Sequence, residues 1–266
     1  MVLESLFSAR KMLERPINML FFSFIITVMS VYISYFIFPI YAGIISPLFV
    51  TIGTAPLLLK IFAVEEKIER LYAENKLSEN FLERYEYVII LFAFFFIGSF
   101  IAYFTISLII PDKDVYTIFL PQINEISTIK SLTTGSVYNE SNTLFLITSN
   151  NLRVMLTCFM LSLIFGTGAL FILSWNASIL AIYLVSFIRQ GMIEKFFISS
   201  LGIIPHAPFE IGAYFVSGIA GGMLSMGLLR ENIKSKEFRI ILRDSIFMLS
   251  ISVIIIILGA FIEVYV

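Results

Sequence analysis

The feature that most constrains this chain is a series of apolar runs, each about as long as a helix that crosses a bilayer. Ile17–Phe38 and Val88–Ile110 contain no Asp, Glu, Lys or Arg. A hydrocarbon core of roughly 30 Å is crossed by about 20 helical residues. Continuous apolar runs point to helices rather than to the alternating pattern of a barrel strand. A soluble fold could not hide so much apolar surface: 59% of the 266 residues are hydrophobic, against roughly 45–50% in soluble domains. The mean hydropathy is +0.95, and the 28 phenylalanines suit a lipid-facing surface. The expected fold is all-α, a polytopic transmembrane helical bundle of about six to seven spans.

The breaks between runs divide the chain. Residues 1–16 carry Leu3, Leu6, Phe7 and Leu13 at helical spacing, which predicts a short interfacial helix. The first run is too long for a signal-peptide core, so it is expected to stay as a span. The second run, about Ile40–Leu59, contains Gly43, Pro47, Gly53 and Pro56, which predicts a kinked or broken helix. Residues 60–87 are the most charged stretch and read as a helical hairpin, with Ser78 capping its second arm. That arm continues into the third run and, at about 48 Å, should protrude from the membrane. These parts form an N-terminal three-span unit, residues 1–110.

Residues 111–150 are a polar region in which Phe119, Ile123, Ile126 and Ile129 hint at an amphipathic helix. The remaining residues, 151–266, hold the later spans. The fourth is expected at Leu152–Leu173. The fifth begins at Asn176 and is apolar only to Ile188. It reads as a short span followed by an interfacial helix at Gly191–Leu201, or else as a re-entrant segment. The sixth is placed at Ala207–Leu229 and the seventh at Asp244–Tyr265.

Charge gives an orientation. Seven spans place residues 1–16, 60–87 and 230–243 on one side, which then carries about thirteen of the eighteen Lys and Arg residues. The expectation is a multi-pass plasma-membrane protein with a cytoplasmic N-terminus, an extracytoplasmic 111–150 region and an extracytoplasmic C-terminus. A re-entrant fifth segment would reverse residues 230–243.

The densest candidate site is Pro205-His206-Ala207-Pro208-Phe209-Glu210. His206, the chain's one histidine, and Glu210 are four residues apart and share a helix face. Two readings stay open. The pair is a polar intramembrane site for protons or a partner, or Pro205 and Pro208 mark a helix start where a carboxylate is favoured. The second is the simpler. Beyond it lie Ala213, Ser217, Gly221 and Ser225 at every fourth position, with Gly218 and Gly222 beside them. Such ladders let helices approach closely, within one chain or between two copies.

Other chemistry is disfavoured. One histidine and one distant cysteine, Cys158, match no metal spacing. No elbow surrounds a serine and no phosphate-binding lysine loop is present, so neither an enzyme nor a cofactor is expected. A net charge of −1 gives no case for nucleic acid. Asn139-Glu140-Ser141 fits a glycosylation acceptor on the expected outer side. The expected partners are the bilayer and membrane or soluble proteins, with a homodimer compatible with the ladder.

Several of these residues, taken in order, resemble the stage II sporulation protein M family. The paired Asn150-Asn151 precede a span that ends in Gly166-Thr167-Gly168, and Asn176 opens the next segment. Pro205, His206 and Glu210 follow, with Ala213, Gly218, Ala220 and Gly221 behind them. The resemblance covers residues from about 150 onward, and the earlier spans are similar to those of archaeal members. Ala207, Ala177 and Ala181 stand where the family usually has glycine. The resemblance implies a non-enzymatic membrane scaffold or assembly subunit. The alternative from the residues alone is a transporter, channel or permease subunit with a His206–Glu210 site. An intramembrane enzyme using the same pair lacks a nucleophile.

Overall fold

The computed structural model describes residue 12 and residues 15–73, 81–135 and 140–265, with side chains described outside 65–84 and 129–142. Among the described residues there are nine α-helices and no strand. They are α1 (Ile17–Ile37), α2 (Ala42–Ala73), α3 (Phe81–Ile109), α4 (Asp112–Gly135), α5 (Glu140–Phe165), α6 (Ala169–Arg189), α7 (Ile193–Ile203), α8 (Ala207–Arg230) and α9 (Lys236–Tyr265). All but α4 and α7 are long and apolar enough to cross a membrane. The protein is an all-α polytopic membrane bundle. Its outer surface is apolar, as lipid requires: Phe36 is 89% exposed and Phe165 67%.

The helices alternate in direction, so their ends gather on two faces. On one face, α4 lies across the end of the α1–α2 pair. The Tyr35 hydroxyl at the end of α1 donates to Asp114 Oδ1 at 2.9 Å. Arg189, at the end of α6, pairs with Asp112, and its Nε donates to the Ser107 carbonyl at 2.8 Å. This is the capped face. The opposite face carries the α5–α6 turn and the α8–α9 loop.

Polar residues and glycines set the approach of the helices. Gly98 of α3 faces the Leu20 carbonyl of α1, where a side chain would collide. Thr27 Oγ1 donates to Ser99 Oγ at 3.2 Å, two turns beyond Leu20 on α1. The centre is aromatic: Phe92 of α3 sits between Phe62 of α2 and Phe215 of α8, at centroid distances of 6.3 and 6.2 Å. Rings at such spacing add about 0.5–1.5 kcal/mol per pair beyond burial.

The structure corrects two expectations. Of the kinked or broken helix expected for the second span, the break is absent: α2 runs continuously through Pro47 and Pro56. Pro47 has no N–H to give the Gly43 carbonyl one turn back. Gln122 of α4 supplies the missing donor, its Nε2 reaching that carbonyl at 2.8 Å and Ser178 Oγ of α6 at 3.0 Å. Neighbouring helices are expected to satisfy freed carbonyls in this way.

The boundary between the fourth and fifth spans also moves. The fourth ends at Phe165, because Gly166 turns the chain with φ +75°. That conformation is open to glycine and costly for other residues. The fifth span therefore starts at Ala169, and its 21 residues are long and apolar enough to cross a membrane, unlike the short segment expected from Asn176. The Ser162 hydroxyl holds the turn by accepting from Ala169 N at 2.9 Å. The apolar letters from Ala169 to Leu173 hid this turn.

Within residues 111–150, α4 is a helix where Phe119, Ile123, Ile126 and Ile129 hint at one. α4 kinks at Phe119 (φ −107°, ψ 19°), just before Pro121, and buries Val115, Ile118 and Phe119. The expected N-terminal interfacial helix lies outside the described residues, apart from Met12, Arg15 and Pro16. Ser78, the expected cap of the hairpin's second arm, and Asn139 of the glycosylation pattern lie outside them as well.

Candidate functional site

The site is built at the capped face by α5, α8 and α9. α8 starts where Pro205 and Pro208 flank His206, and proline at the first helical positions sacrifices no bond. The His206 carbonyl accepts from Phe209 N at 3.0 Å and from Glu210 N at 3.3 Å. The His206 side chain is half-buried and makes no capping hydrogen bond. Glu210 falls in the first turn, where exposed N–H groups favour a carboxylate.

Asn151 Nδ2 donates to Glu210 Oε1 at 2.5 Å. Asn151 Oδ1 accepts from the Tyr214 hydroxyl at 3.0 Å. Asn151 and Tyr214 are both nearly inaccessible, at 7% and 4% exposure. Tyr214 is one turn below Glu210, so a single asparagine of α5 bridges two rungs of α8. From α9, the exposed Glu263 stands close enough to Glu210 for the two carboxyl groups to repel. Gly259 makes this possible: a carbon added there would stand 3.1 Å from Phe209 Cβ and 3.4 Å from Glu210 Cγ.

Below the polar cluster, α8 packs almost backbone to backbone on its neighbours. Ser217 Oγ donates to the Met155 carbonyl of α5 at 2.6 Å. A carbon at Gly221 would strike the Phe159 carbonyl, also of α5. A carbon at Gly218 would come 2.5 Å from Ala169 Cβ, and one at Gly222 would come 2.5 Å from the Phe62 ring. Ala213, Ser217, Gly221 and Ser225 are all buried. The ladder is thus occupied within the chain.

The remaining sequence-selected residues are placed elsewhere. Asn150 is exposed beside Asn151, with its amide 3.5 Å from the Asn151 oxygen. Gly166 and Gly168 form the turn on the opposite face, and Pro205 is exposed before α8. Asn176 bonds back to the Ile172 carbonyl of its own helix at 2.8 Å. Among the described residues no group of three or more His, Cys, Asp or Glu could hold a metal ion. Sequence reasoning paired Glu210 with His206 and missed Tyr214 and Glu263. A signal existed for each: Tyr214 is one turn from Glu210, and Glu263 is the only charged residue after Ser245.

The fold and this cluster define a class: seven-span helical membrane proteins with a polar tie between an asparagine of one span and the first turn of another. Residues 89–266 match the family described as stage II sporulation protein M, and the chain belongs to that family. The match begins inside α3, well before the residues that carry the resemblance in the sequence. No curated protein and no solved structure matches the chain.

Proposed function

We propose that this protein is a non-enzymatic scaffold or assembly subunit of a membrane complex. The observation that carries the reading is the packing of α8 under Glu210. Gly218, Gly221 and Gly222 bring its backbone against α5, α2 and the start of α6, leaving no room for a side chain at those rungs. A helix locked in this way suits a rigid anchor better than a moving gate. The polar cluster then serves as a clamp that presents Glu263, Asn150 and His206 at one membrane face. These polar groups are what a protein partner would read. A homodimer would have to use a lipid-facing surface, since the ladder is covered by α5. The charge distribution supports plasma-membrane insertion with the N-terminus cytoplasmic and the capped face outside.

One observation favours a transport subunit as the second reading. Two acidic side chains, Glu210 and Glu263, face each other at a membrane boundary, an arrangement that can bind a cation or proton. Crosslinking in mild detergent followed by mass spectrometry separates the readings, repeated with Glu210→Gln and His206→Ala. A reproducible partner weakened by the variants supports the scaffold. A chain recovered alone in every preparation, with ion flux in vesicles, would falsify it.

A further inference from the structure

A second site lies away from the polar clamp, where α4 leans on the end of α6. A cleft of about 350 Å³ opens there between α3, α4 and α6. Its floor is apolar and buried, made by Val115, Ile182 and Val185. Its rim is polar and holds Asp112, Tyr116, Arg189 and Gln190. We propose that this cleft binds a single zwitterionic phospholipid from the surrounding leaflet, with its headgroup on the rim and the start of one acyl chain on the floor.

Three observations support that occupant. The first is depth. Leu108 and Ile109, which follow the lining residue Ser107, are exposed, as expected of residues that meet lipid. Next to Gln190 the chain turns at Gly191 into α7, an 11-residue helix with no buried residue. α7 exposes Phe197, Ile198 and Leu201 and rests Phe196 against Phe104 of α3. A short helix of this kind lies along the membrane boundary, so the cleft stands beside acyl chains.

The second is charge. Arg189 is already paired with Asp112, so these two rim charges sum to zero. An anionic headgroup would meet a rim with no net positive charge from this pair to balance it. A zwitterion matches both signs: its ammonium faces Asp112 and the exposed Tyr116 ring, and its phosphate faces Arg189 and the Gln190 amide. The third is size. Sites for small ligands begin at about 300 Å³, so the cleft has room for a headgroup and the first part of a chain but not for a whole lipid.

The test uses the full chain in vesicles of equal phosphatidylethanolamine and phosphatidylglycerol. The protein is then extracted in mild detergent, and retained lipid is read by native mass spectrometry. The wild type should keep about one phosphatidylethanolamine per chain. Ile126→Trp fills the cleft and should lower that retention about tenfold. Ile254→Trp, on a lipid-facing side of α9, should leave it unchanged. Equal retention by wild type and Ile126→Trp, or a preference for phosphatidylglycerol, overturns the proposal. If Ile126→Trp does not fold, Tyr116→Ala and Gln190→Ala alter exposed rim residues only. Unchanged retention in both would overturn it equally.

Discussion

Asn151 and Glu210 meet at 2.5 Å across the α5–α8 interface, although 59 residues separate them in the chain. Asn151 has one amide and uses both ends of it, giving a proton to Glu210 and taking one from Tyr214. Three polar side chains that would be costly to bury alone are thereby satisfied together.

Removing Asn151 should therefore cost more than removing Tyr214's hydroxyl. Asn151→Leu leaves a carboxylate and a phenol without their partner, at about 1–3 kcal/mol. Tyr214→Phe leaves the Asn151 oxygen only the long 3.5 Å contact from Asn150 and should cost about 0.6 kcal/mol, the usual size of an interhelical bond in a membrane. Thermal unfolding in one detergent should rank wild type above Tyr214→Phe, and Tyr214→Phe above Asn151→Leu. In the Asn151→Leu background, Tyr214→Phe should cost nothing more. A full additive loss in the double variant would show that the three residues do not act as one network.

The glycines of α8 are not equivalent, and that yields a matched pair. Gly221 faces the Phe159 carbonyl, whereas nothing lies within 4 Å of a carbon added at Gly212. Gly221→Ala must push α5 and α8 apart and should cost about 1–3 kcal/mol. Gly212→Ala should be neutral or stabilise by up to about 1 kcal/mol through helix propensity. Both substitutions add one methyl group to the same helix. Equal melting temperatures for the two variants would remove close packing as the reason for the ladder.

How much of this was legible in the sequence differs by residue. The spans could be read because apolar length is a property of local sequence alone. The α5–α6 turn was legible only through the family resemblance, which ends a span at Gly166-Thr167-Gly168, and not from the apolar run, which carries on to Leu173. Its glycines sit inside an apolar stretch, and only the left-handed backbone at Gly166 shows which of them turns the chain. Glu210 could be singled out because a charge amid apolar letters is conspicuous. Its partner could not, because the nearest polar letter in sequence, His206, is spent on starting the helix through its backbone. Asn151 became its neighbour only when α5 and α8 packed. Gln122 was hidden for a related reason: a polar residue in a polar region carries no sign that it will be buried.

Orientation can be tested with two exposed positions. Ile233 lies in the α8–α9 loop and is 65% exposed, while Gln190 is exposed on the capped face. The native Cys158 is buried and should stay silent to thiol reagents. In intact cells, a membrane-impermeant maleimide should label Gln190→Cys and spare Ile233→Cys until the membrane is opened. Labelling of Ile233→Cys alone in intact cells would invert the assigned topology.

The link between Pro47 and Gln122 predicts a rescue. Pro47 deprives the Gly43 carbonyl of its helical donor, and Gln122 replaces that donor from α4. Gln122→Leu should leave the carbonyl buried and unpaired, at a cost of about 1–3 kcal/mol. Pro47→Ala restores an N–H one turn along, so the carbonyl no longer depends on α4. In that background Gln122→Leu should cost clearly less, keeping only the loss of its bond to Ser178. The four melting temperatures of this cycle give the coupling directly. If Gln122→Leu costs the same with and without Pro47, the proline is not the reason that α4 inserts a glutamine against the start of α2.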